Sequence, residues 1–341
     1  HYNFELGKDL TQQLFEVSDY DDLLTFKNAL YLKLAQNFLC YRWLLTYLYG
    51  ASPLAEKGFL TDEIGCVRSI RNSNYGYVNA PDVHISFSSL EQYVTDIENA
   101  VGSGQLSSEK EFYSAIRLRG AKTSRDFLTK GISYLEFRNF DLNPFEPLAI
   151  SQETLDTTHL FALALLWLDD MEQVDEELAV AATLNNQIAL SHPHTPLPKE
   201  ADPKPIVTAM KDIVAHFGLD DYYSQLITKV EASLLDPRLT LSGKIAEQVE
   251  EGSLEKFGQQ QGQAFHDYAW TAPYALKGYE NMELSTQMIL FDAIQLGLNV
   301  EILDEEDQFL KLWHGDHVEY IKNSNMTSKD NYVIPLAMAN K

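Results

Sequence analysis

The sequence predicts an α+β fold. Three observations carry that expectation: an apolar repeat of helical period near the start, a central stretch of short segments broken by Gly, Asn and Pro, and a return to helical period in the second half. With 341 residues, 45% of them hydrophobic, there is material for about two domains and a large core. The 18 Tyr, 17 Phe and 4 Trp exclude a disordered chain, which would lack the apolar surface that offsets ordering entropy.

In chain order, Leu23, Phe26, Leu30, Leu34, Phe38, Tyr41, Leu45 and Leu48 recur every three or four residues, and the run stops at Gly50 with Pro53 beyond. That is the pattern of a long amphipathic helix with a glycine stop. Segments 82–87, 112–118 and 132–140 are expected as strands. From 154 to about 190 the chain is expected to be helical, beginning with the very apolar 160–168 and passing through an acidic stretch, 169–177, read as a solvated face. Turn formers at 191–198 and 202–205 separate these helices from further ones at about 206–217 and 221–234. His192 and His194 fall in that proline-rich loop, where no fixed ligand geometry is available, so they are read as loop residues. Beyond 304–307 the pattern suggests irregular or extended connection.

The balance of 26 Lys+Arg against 50 Asp+Glu, 26 − 50 = −24, repels polyanions, and no basic run is long enough to overcome it. Nucleic acid and anionic membrane surfaces are therefore disfavoured partners. The most apolar runs, 43–49 and 160–168, are each under half the roughly 20 residues that cross a bilayer. Cys40 and Cys66 form neither a disulfide framework nor a zinc spacing, which fits a reducing, cytoplasmic compartment. No secretory signal pattern occurs, and a chain opening on His1 is expected to be a fragment. A phosphate ligand would need divalent cations or a few well-placed arginines to offset so many carboxylates.

The richest stretch is 132–145. If it holds a strand, alternation puts Leu135 and Phe137 on one face and Tyr134, Glu136 and Arg138 on the other. A carboxylate and a guanidinium about 7 Å apart along a strand suit a metal ion and a phosphate oxygen, but also an ordinary ion pair on a solvated sheet. Tyr113, Arg117 and Arg119 repeat the alternation and would add a cationic floor for anionic substrates. Residues 67–79 hold two Arg, three Asn, two Ser and two Tyr, donors suited to carboxylates and equally to turns. Gly102-Ser-Gly104 lacks what a phosphate loop or dinucleotide fingerprint requires, no Gly-x-Ser-x-Gly elbow occurs, and Cys66 reads as an inert thiol.

Four of these segments, His1-Tyr-Asn-Phe4, Arg71-Asn-Ser-Asn-Tyr-Gly-Tyr77, Glu111-Phe-Tyr-Ser-Ala-Ile-Arg117 and Tyr134-Leu-Glu-Phe-Arg138 with Asp141-Leu-Asn-Pro-Phe145, resemble in order the motifs of bacterial glutamate–cysteine ligases. Met282-Glu-Leu-Ser-Thr-Gln287 and the stretch 317–330 are similar to the variant fused to an ATP-grasp glutathione synthetase module. The resemblance implies a glutamine-synthetase-like fold, a curved, mainly antiparallel sheet forming a funnel with helices packed outside. It implies ATP-dependent joining of the glutamate γ-carboxylate to the cysteine amine, with ATP as co-substrate and Mg2+, or Mn2+ in its place. By the same resemblance Glu136 binds magnesium and Arg138 holds the transferred phosphate. Arg71 binds the glutamate α-carboxylate, Tyr77 and Tyr113 line the cysteine subsite, and His1 lies near the metal cluster. It further implies a partial catalytic domain over 1–303, a linker over 304–341 leading toward an absent ATP-grasp module, and impaired turnover, because further metal-binding carboxylates belong upstream. The rival expectations are another ATP-dependent carboxylate–amine ligase of this fold and a non-catalytic helical interaction module.

Overall fold

The computed structural model describes residues 1–326 apart from 63, 272–275, 277, 305, 307, 323 and 324. The fold is α+β. Strand β1 (Tyr2–Phe4) is followed by α1 (Lys8–Glu16), α2 (Leu23–Tyr49) and α3 (Leu90–Gly102), then β2 (Ile116–Arg119), the single turn α4 (Phe127–Lys130) and β3 (Tyr134–Phe137). Helices α5 (Gln152–Trp167), α6 (Val174–Ala189), α7 (Lys204–Phe217), α8 (Asp221–Leu235), α9 (Leu241–Ala246), α10 (Glu255–Thr271) and α11 (Leu284–Gln295) come next. Strands β4 (Asn299–Asp304), β5 (Phe309–His314), β6 (His317–Lys322) and β7 (Asn325–Met326) follow. Two compact units divide at Gln259/Gln260, earlier than the expected boundary at 303/304.

In the first unit α2 is the organising element. Asp22 caps it by accepting from the Thr25 amide at 2.9 Å. It ends at Gly50, where a Cβ would stand 2.7 Å from the Thr46 carbonyl, so only glycine turns the chain there. Phe38, fully buried, meets Phe137 of β3 with ring centroids 4.6 Å apart and so seats the helix on the sheet. Helices α5 and α6 cover α2 as well, and Asn37 inside this core is satisfied by the Leu165 carbonyl at 2.8 Å. The sheet is antiparallel, in the order β1-β3-β2. Its register pairs Phe137 with Tyr2 and Ile116, and Glu136 with Asn3 and Arg117.

The expected strand at 82–87 does not form. It follows Pro81 and pairs with no other strand; Ser86 N is instead taken by Asp96 at 3.0 Å and the Phe87 carbonyl by Gln36 at 2.7 Å, so side chains satisfy its backbone. The expected strands at 112–118 and 132–140 shrink to the four-residue β2 and β3, because only those stretches find ladder partners.

In the second unit β4-β5-β6-β7 form an antiparallel sheet, and Met282, Ile289, Leu290, Ala293, Leu310, Leu312 and Ile321 make a small core. The stretch expected as irregular or extended connection after 304 thus holds β5, β6 and β7 among its described residues. Leu310 and Leu312 alternate with Lys311 and Trp313, a period-2 signal beside Gly315, whose φ of +57 closes the β5–β6 hairpin. Of the motif at 317–330, residues 323, 324 and 327–330 lie outside the described residues.

Candidate functional site

Period 2 along β3 turns Glu136 away from the core, yet it is only 5% exposed. A solvated surface ion pair is therefore excluded. Its Oε1 lies 2.5 Å from Nδ1 of His1, and its Oε2 accepts from Nε of Arg119 at 2.5 Å, with the Arg119 Nη2 closing the pair. Arg138 Nε stands 3.9 Å from Oε1, beyond hydrogen-bond reach. Arg117, directly opposite Glu136, spends its guanidinium on the Lys110 and Phe112 carbonyls at 2.5 and 2.7 Å. Burial, then the neighbouring Arg138 and Arg119, hold its pKa below the ordinary arginine value. The cationic floor expected from the sequence is thus mostly committed to protein partners.

Arg138 is the exception. Its Nε and Nη1 are buried with no hydrogen-bond partner among the described residues, and its guanidinium lies over the Tyr113 ring, 5.1 Å from the centroid. An unpaired buried donor of this kind costs about 1–3 kcal/mol, a cost that an anion would remove.

The loop at 68–79 is held against this strand by side chains. Asp141 Oδ2 accepts from Ala51 N (2.7 Å), Ser52 Oγ (3.0 Å) and Ser69 Oγ (2.7 Å). Asn72 donates to the Asn139 carbonyl at 2.8 Å while its own carbonyl takes the Asn185 amide of α6 at 2.9 Å. Arg68, fully buried, donates to Ser191 Oγ at 3.1 Å and to the Thr195 carbonyl; burial without a carboxylate pulls its pKa down to about 10. At Gly76 a Cβ would sit 2.0 Å from the Arg71 carbonyl, so the tight turn requires glycine.

Within that turn Arg71 donates from Nη1 to the Arg138 carbonyl at 2.7 Å, and its guanidinium stands 5.9 Å from the Tyr77 ring centroid. The Tyr77 and Tyr113 rings are 5.6 Å apart, and Asn79 clasps Tyr113 by accepting from its amide and donating to its carbonyl, both at 2.8 Å. Arg71, Tyr77 and Tyr113 line one cleft of about 350 Å3. Arg138 adjoins it through Arg71 and Tyr113, Glu136 stands beside Arg138, and His1 contacts Glu136. All six residues singled out in the sequence are thereby brought together.

Sequence reasoning passed over Arg42, which reaches the same cleft from α2. Its signal was an arginine interrupting an apolar helical run. Asp141 and Asn79, which organise the loop, lay inside stretches already singled out but were given no role of their own.

No group of three His, Cys, Asp or Glu side chains able to hold a metal occurs among the described residues, the His192/His194 pair included. Glu136 offers one carboxylate, with Oε1 against His1 and Oε2 against Arg119. One carboxylate, with phosphate oxygens and water completing the shell, is a way ATP enzymes take Mg2+. Cys66 is shifted up by burial, as an inert thiol is.

The family model described as glutamate-cysteine ligase matches residues 1–105 and 103–188, and one described as an ATP-grasp-like domain matches 280–333. The latter falls on a stretch expected from the sequence to be mostly linker. The chain is 62% identical over 342 residues to the glutathione biosynthesis bifunctional protein GshAB of Streptococcus mutans, covering 100% of this chain and 45% of that protein. The Enterococcus faecalis protein of the same name is 47% identical, again over 100% of this chain and 46% of its own. The chain therefore spans about half the length of the curated relatives it matches. The crystal structure of a bifunctional glutathione synthetase from Pasteurella multocida superposes with a TM-score of 0.82 at 43% identity, covering 99% of this chain and 46% of that one. A glutamate–cysteine ligase from Francisella tularensis in complex with AMP shares the fold, with a TM-score of 0.63 at 23% identity over 78% of this chain and 63% of that one.

Proposed function

Because the chain belongs to the glutamate–cysteine ligase family, we propose that its cleft serves ATP-dependent ligation of the L-glutamate γ-carboxylate to the amine of L-cysteine, the first step of glutathione synthesis. The observation that carries this reading is the Arg138 head beside Arg71, whose buried Nε and Nη1 have no hydrogen-bond partner among the described residues. A carboxylate is a poor electrophile. An oxygen of the γ-carboxylate attacks the terminal phosphorus of ATP, the bond to the ADP oxygen breaks, and the Arg138 guanidinium offsets the charge on the phosphoryl oxygens. The cysteine nitrogen then attacks the acyl carbon, and the bond to the phosphate oxygen breaks to release inorganic phosphate. Arg71 takes the glutamate α-carboxylate, so its bond to the Arg138 backbone holds the two ends of that substrate in register. The Tyr77 and Tyr113 rings present the apolar wall for the cysteine side chain.

Mg2+ held by Glu136 would neutralise phosphate charge. The residues' own part is positional: Arg119 and His1 fix the Glu136 carboxylate toward Arg138. The β1-β3-β2 sheet is read as one wall of a funnel-shaped antiparallel sheet, and the ATP-grasp-like match at 280–333 as the mark of a second, glutathione-forming activity in the whole protein. No helix among the described residues is long and apolar enough to cross a membrane.

The test is ADP release by the full-length protein. Release should require both amino acids, with cysteine clearly preferred over other acceptors, and Arg138→Ala should lower kcat about 100- to 1,000-fold, the usual effect of removing one preorganised charge-stabilising donor. Equal rates with unrelated acceptors would favour a different carboxylate–amine ligase, and ADP release indifferent to Arg138→Ala would rule the site out.

A further inference from the structure

Two amino acids meet in the proposed reaction, and each brings an α-carboxylate that the site must neutralise. Arg71, the proposed grip on the glutamate α-carboxylate, is already bonded to the Arg138 backbone. The acceptor's carboxylate is left without a cation.

Arg42 is a cation without an anion. It projects from α2 into the cleft that Arg71, Tyr77 and Tyr113 line, and it also lines an adjoining cavity of about 630 Å3 that shares Tyr113 and Asn79. It makes no hydrogen bond or ion pair with any described residue. Polar side chains that line the same two cavities are engaged elsewhere. Asn185 Oδ1 accepts from Thr46, Asn186 Oδ1 accepts from the Asn74 amide, and in the second cavity Asp96 and Asp175 both hold Ser86. Packing around the half-buried Arg42 side chain pushes its pKa down, with Tyr113 opposing the shift. A guanidinium in this state is shaped for a two-pronged bond to a carboxylate.

We propose that Arg42 anchors the α-carboxylate of the acceptor amino acid. The assignment rests on the ligase reading above. It makes Arg42 a specificity-determining residue: it selects amino acids over simple amines, with Tyr77 and Tyr113 facing the acceptor's side chain.

Cysteamine, which is cysteine without its carboxylate, separates this role from a structural one. In the full-length protein, Arg42→Met should raise the KM for cysteine about 10- to 100-fold, the loss of one charge-assisted anchor, while the KM values for glutamate and ATP stay within about twofold. The KM for cysteamine should not change, so the preference for cysteine over cysteamine collapses, and Arg42→Lys should restore part of it. If Arg42→Met fails to fold, Arg42→Lys reads the same ratio. An unchanged cysteine KM, a shift in the glutamate KM instead, or equal weakening of cysteine and cysteamine would overturn the assignment while leaving the ligase reading intact. Wild-type protein releasing no ADP in response to glutamate and cysteine would remove the ligase reading, and this assignment with it.

Discussion

At the scale of single residues, burial and hydrogen bonding separate side chains that hold the site from those free to act. Asp141 belongs to the first group: one buried oxygen receives three donors from two chain segments, and the other has no partner. Asp141→Ala strands those donors, so chemical denaturation should show a loss of about 2–4 kcal/mol, more than a surface change would cause. Arg138 belongs to the second. Its guanidinium nitrogens Nε and Nη1 support no protein hydrogen bond, so Arg138→Ala should leave the melting temperature within about 4 °C of wild type, equivalent to under about 1 kcal/mol, while activity collapses. Gly76→Ala should do both kinds of damage, since its Cβ would collide with the Arg71 carbonyl; loss of glutamate-dependent ADP release together with a lower melting temperature would check this.

At the scale of elements, α2 and α3 carry titratable groups driven far from their ordinary values. Burial pushes the Cys40 thiol from 9.0 to about 11 and the Tyr49 and Tyr93 phenols from 10.0 to about 12. The sign follows from which state deprotonates first. As pH rises past 9 to 10 the unfolded chain loses these protons while the folded chain keeps them, so their contribution to stability is intact below pH 9 and drains away between about 9 and 12. Urea midpoints measured across that range should fall steadily. A flat profile would count against the burial of these groups. The long elements were legible from their apolar runs: α7 and α8 repeat one buried face every three or four residues, whereas α2 and α5 bury consecutive residues, 43–48 and 160–162 among them, so α2 is a core helix and not the amphipathic one expected. The segment at 82–87 misled because alternation says nothing about whether a partner strand is within reach. Strand β5 was missed although Leu310 and Leu312 alternate as clearly as Leu135 and Phe137.

At the scale of the whole chain, the site was legible through residue chemistry more than through shape. Glu136 and Arg138 declared themselves as charges on one strand face, and the loop at 68–79 by its density of donors. Arg42 and Asp141 did not, because their meaning depends on which distant segments they face. Every candidate site residue lies before Gln259, within the first compact unit. A chain ending at 259 should therefore keep one cooperative unfolding transition, measured by circular dichroism, with the melting temperature of the first unit changed by less than about 4 °C. The hydrogen bond from Arg71 to the Arg138 carbonyl carries a last consequence for the proposed donor. It makes the two gripping heads the jaws of a caliper, one jaw pinned to main chain and the other resting on the Tyr113 ring. Aspartate, one methylene shorter than glutamate, would fill either jaw but not span both, so length discrimination follows from that single contact.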